Sequence, residues 1–401
     1  MGPAHSLNGV GTQVNSTVVK QAHRAWCGHD GEPHRAPARV NLIGEHTDYT
    51  GGLVLPMASE FHTVAVLSLR GDRMLRLNSV NYKEERELSL DALAPTQSGH
   101  WSEYAFGVAW ALRQKGIDFG GADITLDGDV PLGAGLSSSA SVESAVAMAL
   151  LQHAGARLPL EQLAVVCRSA ENDYVGAKSG IMDQFIVLGG IVDRAMLLDT
   201  RSLTYDLLPL PKGVRIVVCN SMVQHSVATG DYGNRSDETK AAAAAIAALG
   251  NGLTIRDASV DDLARLPSDT PAAVLRRGRH IITENARVLA ARDALHAGDM
   301  IRFGELLNEA HASFRDDFEA SAPEVETIVA IARRQPGCYG ARITGGGFGG
   351  CTVNLVEESK VDAFLQAVRA EYLHETGLDP QCFVCTAADG ALALEAKESA
   401  Q

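Results

Sequence analysis

Residues 37–52, Pro-Ala-Arg-Val-Asn-Leu-Ile-Gly-Glu-His-Thr-Asp-Tyr-Thr-Gly-Gly, restrict what this chain can fold into more than any other stretch. Val40 to Ile43 reads as a strand entering an interior. A second apolar run, Leu53 to Met57, begins straight after Gly51 and Gly52. Between the two, Gly44 is followed by Glu45, His46, Asp48 and Tyr49. Polar groups held between buried strands are costly unless their hydrogen bonds are met. Either this segment is a hairpin that bonds to itself, or its carboxylates and imidazole face a ligand rich in hydroxyl groups, such as a sugar.

Two glycine-rich stretches add a second constraint. Residues 130–141, Val-Pro-Leu-Gly-Ala-Gly-Leu-Ser-Ser-Ser-Ala-Ser, follow a strand-like run, Ala122 to Asp127, and open a helix of small and apolar residues, Ala140 to Leu151. A glycine turn at a helix N-terminus offers outward N–H groups and partial positive charge to an anion. Gly133 and Gly135 let the main chain approach phosphates, and Ser137, Ser138 and Ser139 supply hydroxyls. No Gly-Lys-Ser/Thr follows, so this is not a Walker A loop. Read alone, Ser137 is an ordinary helix N-cap. The other stretch, Arg342-Ile-Thr-Gly-Gly-Gly-Phe-Gly-Gly-Cys-Thr-Val, precedes a further apolar run. It is a tight loop with positive φ angles, or a second wall around the same ligand.

The 401 residues suffice for two domains with separate cores, and 46% hydrophobic with 21% charged residues describes an ordinary globular protein. A net charge of −14 argues against nucleic acid or an anionic membrane as partner. Any nucleotide must then be held by local donors and a metal ion. Seven scattered cysteines make no disulfide framework. Cys382 and Cys385 form a Cys-x-x-Cys pair, but a strand there puts them on opposite faces, and no second pair exists for zinc. No apolar run is long enough to span a membrane, and no secretory signal is visible, so the expected location is the cytoplasm.

Periodicity predicts helices near 18–28, 101–114, 138–151, 160–174, 237–249, 272–297, 299–312, 323–335 and 358–373. Strands are expected at 38–43, 53–57, 62–69, 74–79, 122–127, 214–219, 350–356 and 382–387, with a hairpin of strands 185–192 and 195–199. Strands and helices mix without βαβ alternation, which predicts an α+β fold.

Taken together, the three motifs resemble the GHMP family of small-molecule kinases, closest to its galactose-phosphorylating members. The carriers are Arg39-Val-Asn-Leu-Ile-Gly-Glu-His-Thr-Asp-Tyr, Pro131-x-Gly-x-Gly-Leu-Ser-Ser-Ser-Ala, Gly180-Ile-Met-Asp183-Gln and Thr344-Gly-Gly-Gly-Phe-Gly-Gly-Cys, with further similar blocks at His280–Arg287 and His311–Phe318. The similarity runs from about residue 35 to 390. It implies a ribosomal-protein-S5-like N-terminal domain (18–200), a ferredoxin-like C-terminal domain (201–395) and an active site between them. It also implies Mg²⁺-ATP as phosphoryl donor and galactose as acceptor. Asp183 would engage the reacting hydroxyl, with Arg39 stabilising that anion and the charge developing on the phosphoryl group. Glu45, His46, Asp48, Gly180 and Tyr232 would bind the sugar. Gly133, Gly135, Leu136, Ser137, Ser138, Ser139, Gly346 and Gly347 would hold the nucleotide, with Trp101 and Tyr104 at the adenine. Ser139 and Glu171 would meet the metal. A monomer is the expected state.

The chain departs from the family pattern at Ala38 and Thr50, and after Tyr232, where Gly233-Asn-Arg235-Ser236 lacks one arginine of the usual pair. These changes leave open a related sugar such as galactosamine or arabinose, while the lost charge argues against galacturonic acid. A sensor that binds ATP and sugar without turnover is the alternative from another class. The unbroken Leu136-Ser-Ser-Ser-Ala140 favours an enzyme.

Overall fold

The computed structural model describes residues 14–131, 133, 135–224 and 231–399. In chain order the elements are α1 (Ser16–Cys27), β1 (Glu32–Ile43), β2 (Leu53–Leu69), β3 (Met74–Ser79), β4 (Glu84–Ser89), α2 (Ser102–Gln114), β5 (Ala122–Gly128), α3 (Ser138–His153), α4 (Leu160–Ser169), α5 (Met182–Gly189), β6 (Arg194–Asp199) and β7 (Thr204–Pro209). After these come β8 (Val214–Gln224), α6 (Asp231–Ala247), α7 (Val260–Leu263), α8 (Ala272–Ala297), α9 (Met300–Asp316), α10 (Pro323–Arg334), β9 (Cys338–Thr344), β10 (Gly349–Glu357), α11 (Val361–Thr376), β11 (Gln381–Cys385) and α12 (Ala391–Ser399). The fold is α+β, as the mixed pattern predicts.

The strands form two sheets. The first runs β4-β3-β5-β2-β6-β7, with β1 paired to β2, and the second runs β11-β8-β10-β9. Within the first sheet, β3 and β5 are parallel, and the other pairs are antiparallel. β2 is one strand of 17 residues, not the two strands expected at 53–57 and 62–69. Its first residues pair with β6 and its last seven with β5, while β1 pairs along much of the strand, so one long strand serves three neighbours.

Alternation along β1 and β2 divides the core. Ala36, Val54, Ala58 and Ala65 face α2, α3, α4 and α5. Ala38, Val40, Leu42, Leu55 and Met57 face the other way, against α8, α9 and the second sheet's Ile216, Val218, Val353 and Leu355. The second sheet's far face packs on α10 and α11. This arrangement puts the seam between the sheets directly beneath the 44–52 loop. The last helix, α12, returns from the second sheet to pack against β1 and α5.

The expected strand at 185–192 is helix α5, and the hairpin is β6 with β7. Phe185-Ile-Val-Leu188 is buried throughout, and a short apolar run carries no period to separate helix from strand. The charged β4, at the edge of the first sheet, and β9 were not foreseen. β4 reads Glu-Glu-Arg-Glu-Leu-Ser, a composition that protects an edge and hides a strand. No helix among the described residues is long and apolar enough to cross a membrane.

Candidate active site

Arg39 lies inside β1, next to a register shift in the β1–β2 ladder between Pro37 and Arg39. Such shifts re-aim side chains. Arg39 makes a fork on Asp183, from Nε to Oδ1 at 2.7 Å and from Nη2 to Oδ2 at 2.5 Å. Its Nη1 donates to the Gly135 carbonyl at 2.5 Å, and its backbone N–H to the Leu136 carbonyl at 3.0 Å. Burial opposes the Arg39 charge, but Asp183 foremost, then Glu45 and Asp48, raise its pKa overall. Asp183 sits in the first turn of α5, where the helix dipole also favours an anion. The Ser137 hydroxyl donates to Asp183 Oδ2. Ser137 takes φ +57° and makes no capping bond with its side chain. The glycine loop, the arginine and the aspartate are thus one bonded unit, and the N-cap reading of Ser137 gives way to a link with Asp183.

The 44–52 loop does bond to itself, but through Thr47. The Thr47 hydroxyl donates to the carbonyls of Gly44 and Leu53, and its own carbonyl receives the N–H of Thr50 and Gly52. That leaves the flanking polar side chains for other work. Glu45 is 3% exposed, and its Oε1 accepts from Thr344 Oγ1 and the Gly345 N–H, both at 2.9 Å, beside Arg342 Nη2, also at 2.9 Å. His46 stacks on Phe318 with 4.1 Å between ring centres, and its Nδ1 lies 3.1 Å from the Tyr49 hydroxyl. Burial, followed by His280, lowers His46 to about 3, so it is neutral at pH 7. Asp48 opens a short turn over Gly180. A Cβ at Gly180 would collide with the Asp48 carboxylate and push that side chain from its place. Burial, then repulsion from Asp183 and Glu45, pushes Asp48 up to about 7 despite the N–H groups of Met182 and its own backbone.

A cavity of about 690 Å³ opens beside this cluster. Arg39, Gly133, Gly135, Leu136, Ser137, Ser138, Ser139, Trp101, Tyr104 and Gly346 all line it. Gly347 lies off the cavity, against Ala320 and Phe314. Trp101 precedes the first turn of α2, lies nearly parallel to Tyr82 at 5.9 Å, and donates from Nε1 to Glu84 at 2.8 Å. Burial, then Glu171, pushes the Tyr104 phenol up to about 12. A second cavity of about 700 Å³, lined by Asp199, Arg256 and Asn285 among others, holds none of the expected site residues.

Glu171 falls on a short π-helical segment, Ala170–Val175, that continues α4. It is 8% exposed, and its Oε2 accepts from Ser179 Oγ at 2.6 Å and Gln184 Nε2 at 2.8 Å. Gln184, beside Asp183, also donates to Glu143 at 3.0 Å. The described residues hold no cluster of three or more His, Cys, Asp or Glu side chains fit to cage a metal. Tyr232 belongs to α6, but its side chain lies outside the described residues.

Several residues given no role from sequence support the loop from behind. Glu284 of α8 is fully buried; its Oε1 accepts from the N–H of Gly44 at 2.9 Å and of Glu45 at 3.4 Å. His280 Nε2 lies 3.2 Å from the Glu45 carbonyl, and Asn285 accepts the Leu53 N–H at 2.8 Å. Arg342, 1% exposed, donates from Nη1 to the Leu42 carbonyl at 2.8 Å. The only advance signal was that these residues fall within the family-like blocks.

Comparison with known proteins agrees with this geometry. Residues 103–190 match the GHMP kinases N terminal domain, 21–69 the galactokinase galactose-binding signature, and 291–374 the GHMP kinases C terminal domain. A galactokinase of Chloroflexus aggregans is 44% identical over 365 residues, covering 91% of this chain and 94% of that protein. One from a Roseiflexus species is 43% identical, covering 89% and 92%. The structure of Lactococcus lactis galactokinase complexed with galactose superposes with a TM-score of 0.89 at 33% identity, covering 93% of this chain and 98% of that one. Methanococcus jannaschii mevalonate kinase, 18% identical with a TM-score of 0.65, covers 90% of this chain and shares the fold. The motifs, their convergence on one cleft and identity across nine-tenths of the chain assign this protein to the galactokinase family of GHMP kinases.

Proposed function

We propose that this protein transfers the γ-phosphoryl group of ATP to the C1 hydroxyl of galactose, giving galactose 1-phosphate and ADP. One observation carries this reading: Asp183, held by the Arg39 fork and the Ser137 hydroxyl, stands where the glycine-lined cavity meets the Glu45–His46–Asp48 loop. Phosphoryl transfer needs little covalent help from a protein; it needs positioning and charge stabilisation. Asp183 accepts a hydrogen bond from the C1 hydroxyl and aligns its oxygen with the γ-phosphorus. Arg39 grips the Asp183 carboxylate with its fork and faces the charge that spreads over the phosphoryl oxygens. Asp48, neutral or ionised near pH 7, donates to or accepts from sugar hydroxyls, and neutral His46 does either. The loop around Gly133 to Ser139 presents N–H groups and hydroxyls to the phosphates.

Ser139 and Glu171 are hard oxygen donors that would help hold Mg²⁺, which prefers such oxygens and would neutralise phosphate charge. We read the protein as a cytoplasmic monomer.

The test is ADP release measured against a panel of monosaccharides, with the product examined by phosphorus NMR. Galactose-dependent ADP release and phosphate on C1 are expected. Turnover confined to galactosamine or arabinose would move the assignment to a related sugar. ATP and sugar binding without turnover would make the chain a sensor.

A further inference from the structure

Of the motifs noted in the sequence, Cys382-x-x-Cys385 has no part in the site. β11 separates the two residues: Cys385 joins the seam core, while Cys382 packs against the core under α10 and α11. Cys382 has another partner. In the antiparallel β11–β8 ladder it stands directly opposite Cys219. Cys219 is fully buried and Cys382 half-buried. Both side chains therefore project from the same face of the sheet, and Cys219 Sγ accepts from Asn354 Nδ2 at 3.5 Å. Directly paired residues of an antiparallel ladder have Cα atoms about 4.5–5.5 Å apart. That falls within the roughly 4.4–6.8 Å a disulfide spans. Cys351 is paired with Asn220 on β8, one residue on from Cys219, and therefore occupies the opposite face of the sheet.

We propose that Cys219 and Cys382 form a redox dithiol site that takes a low-molecular-weight disulfide, such as oxidised glutathione, and closes into an intramolecular disulfide. The half-buried Cys382 thiolate attacks one sulfur of the small disulfide. That S–S bond breaks, one thiolate leaves, and a mixed disulfide forms on Cys382. The Cys219 sulfur then attacks Cys382 Sγ and expels the second small thiolate. Two protein thiols are oxidised, one small disulfide is reduced to two thiols, and the two protons pass from the former to the latter. The neighbouring Cys382 thiol, then burial, hold the Cys219 thiol well above its ordinary value, so the second step is the slower one.

The bond fixes a free edge. β11 is the outer strand of its sheet and, among the described residues, pairs only with β8. Two residues after Cys219, the Ser221 hydroxyl donates to the Gly350 carbonyl at the end of the second glycine loop. Closing a loop this long restricts the unfolded chain and raises the thermal midpoint.

The test incubates the folded, full-length protein with oxidised glutathione, then combines peptide mapping under non-reducing conditions with thermal melting. The expected result is a Cys219–Cys382 linked peptide and a higher midpoint that dithiothreitol reverses. Cys385→Ser should keep both. Cys382→Ser, at a half-buried position, should lose both. Cys219→Ser should stop at glutathione held on Cys382, with no rise in midpoint. Linkage of Cys382 to Cys338 or Cys385, stable glutathione on Cys382 in the unmutated protein, or a link formed only in denaturant would each overturn the proposal.

Discussion

Asp183 and Asp48 belong to one cluster of acids, yet their surroundings assign them opposite tasks. Asp183 has an arginine fork and a hydroxyl on its two oxygens. Asp48 has burial and two neighbouring acids against it and rises to about 7. Asp183→Asn removes the anion with little change of shape. Turnover should fall about 10²-fold or more, the usual scale for a positioned acid–base group. The loss should lie in kcat, with galactose KM little changed, because the interaction matters chiefly in the transition state. Asp48→Asn should instead raise galactose KM, and steady-state kinetics on both variants separates the two roles. Asp48 also predicts a pH effect on stability. Its folded pKa of about 7 exceeds the ordinary 3.8, so the native state binds more protons between those values. Native stability from this group therefore falls as pH rises from near 4 to near 7 and is level above that. Asp48→Asn should be more stable than the parent at pH 8, with the gain shrinking as pH falls toward 4. A gain of equal size at pH 5 and pH 8, measured by urea unfolding, would contradict the raised pKa.

At the scale of elements, α8 is the rear wall of the 44–52 loop. Glu284 and Asn285 receive backbone N–H groups from both ends of residues 44–53, and Glu284 Oε2 takes Arg287 Nε at 2.7 Å. Burial opposes the Glu284 charge, but Arg287 and its neighbours hold it at about 2. Glu284→Leu strips a half-buried arginine of its partner and leaves two N–H groups bare, a loss of up to about 3–5 kcal/mol, the scale for a broken buried pair. Glu284→Gln still accepts from Gly44 and should lose less. Both should raise galactose KM more than ATP KM, and thermal melts with kinetics at varied sugar and ATP test this. Helix α8 itself was legible from residue 272 to 297, because a long amphipathic pattern is a strong signal. Its role was not, because Glu284 meets Gly44 across 240 positions and nothing local marks that contact. Likewise, Arg39, Asp183 and the Glu45–Asp48 loop stand out in the sequence because their motifs are dense and local. Arg342 stood in a quoted motif yet received no role, since its partner Glu45 lies in the other half of the chain.

Across the whole molecule, the site is a seam. β1 brings Arg39, α5 brings Asp183, and the second sheet brings Arg342 and the glycines that follow β9. The two glycine stretches, far apart in sequence, meet here: Gly345 faces Gly135 closely enough that a Cβ would lie 3.6 Å from the Gly135 Cα. Gly135 has φ +64°, its carbonyl accepts from Arg39, and a Cβ there would point toward the Thr344 carbonyl at 3.5 Å. Space alone would admit a small side chain, but a β-branched residue at that φ is strained. Gly135→Val must therefore shift the loop, and with it the N–H groups proposed to hold phosphate. The 44–52 loop is braced separately by Thr47, Glu284 and Asn285 and should keep its shape. Calorimetry on this variant should show a large loss of ATP affinity and near-normal galactose binding. If both ligands weaken together, the two walls of the seam act as one unit and the loop does not serve the nucleotide alone. If neither weakens, the loop lies outside the nucleotide site.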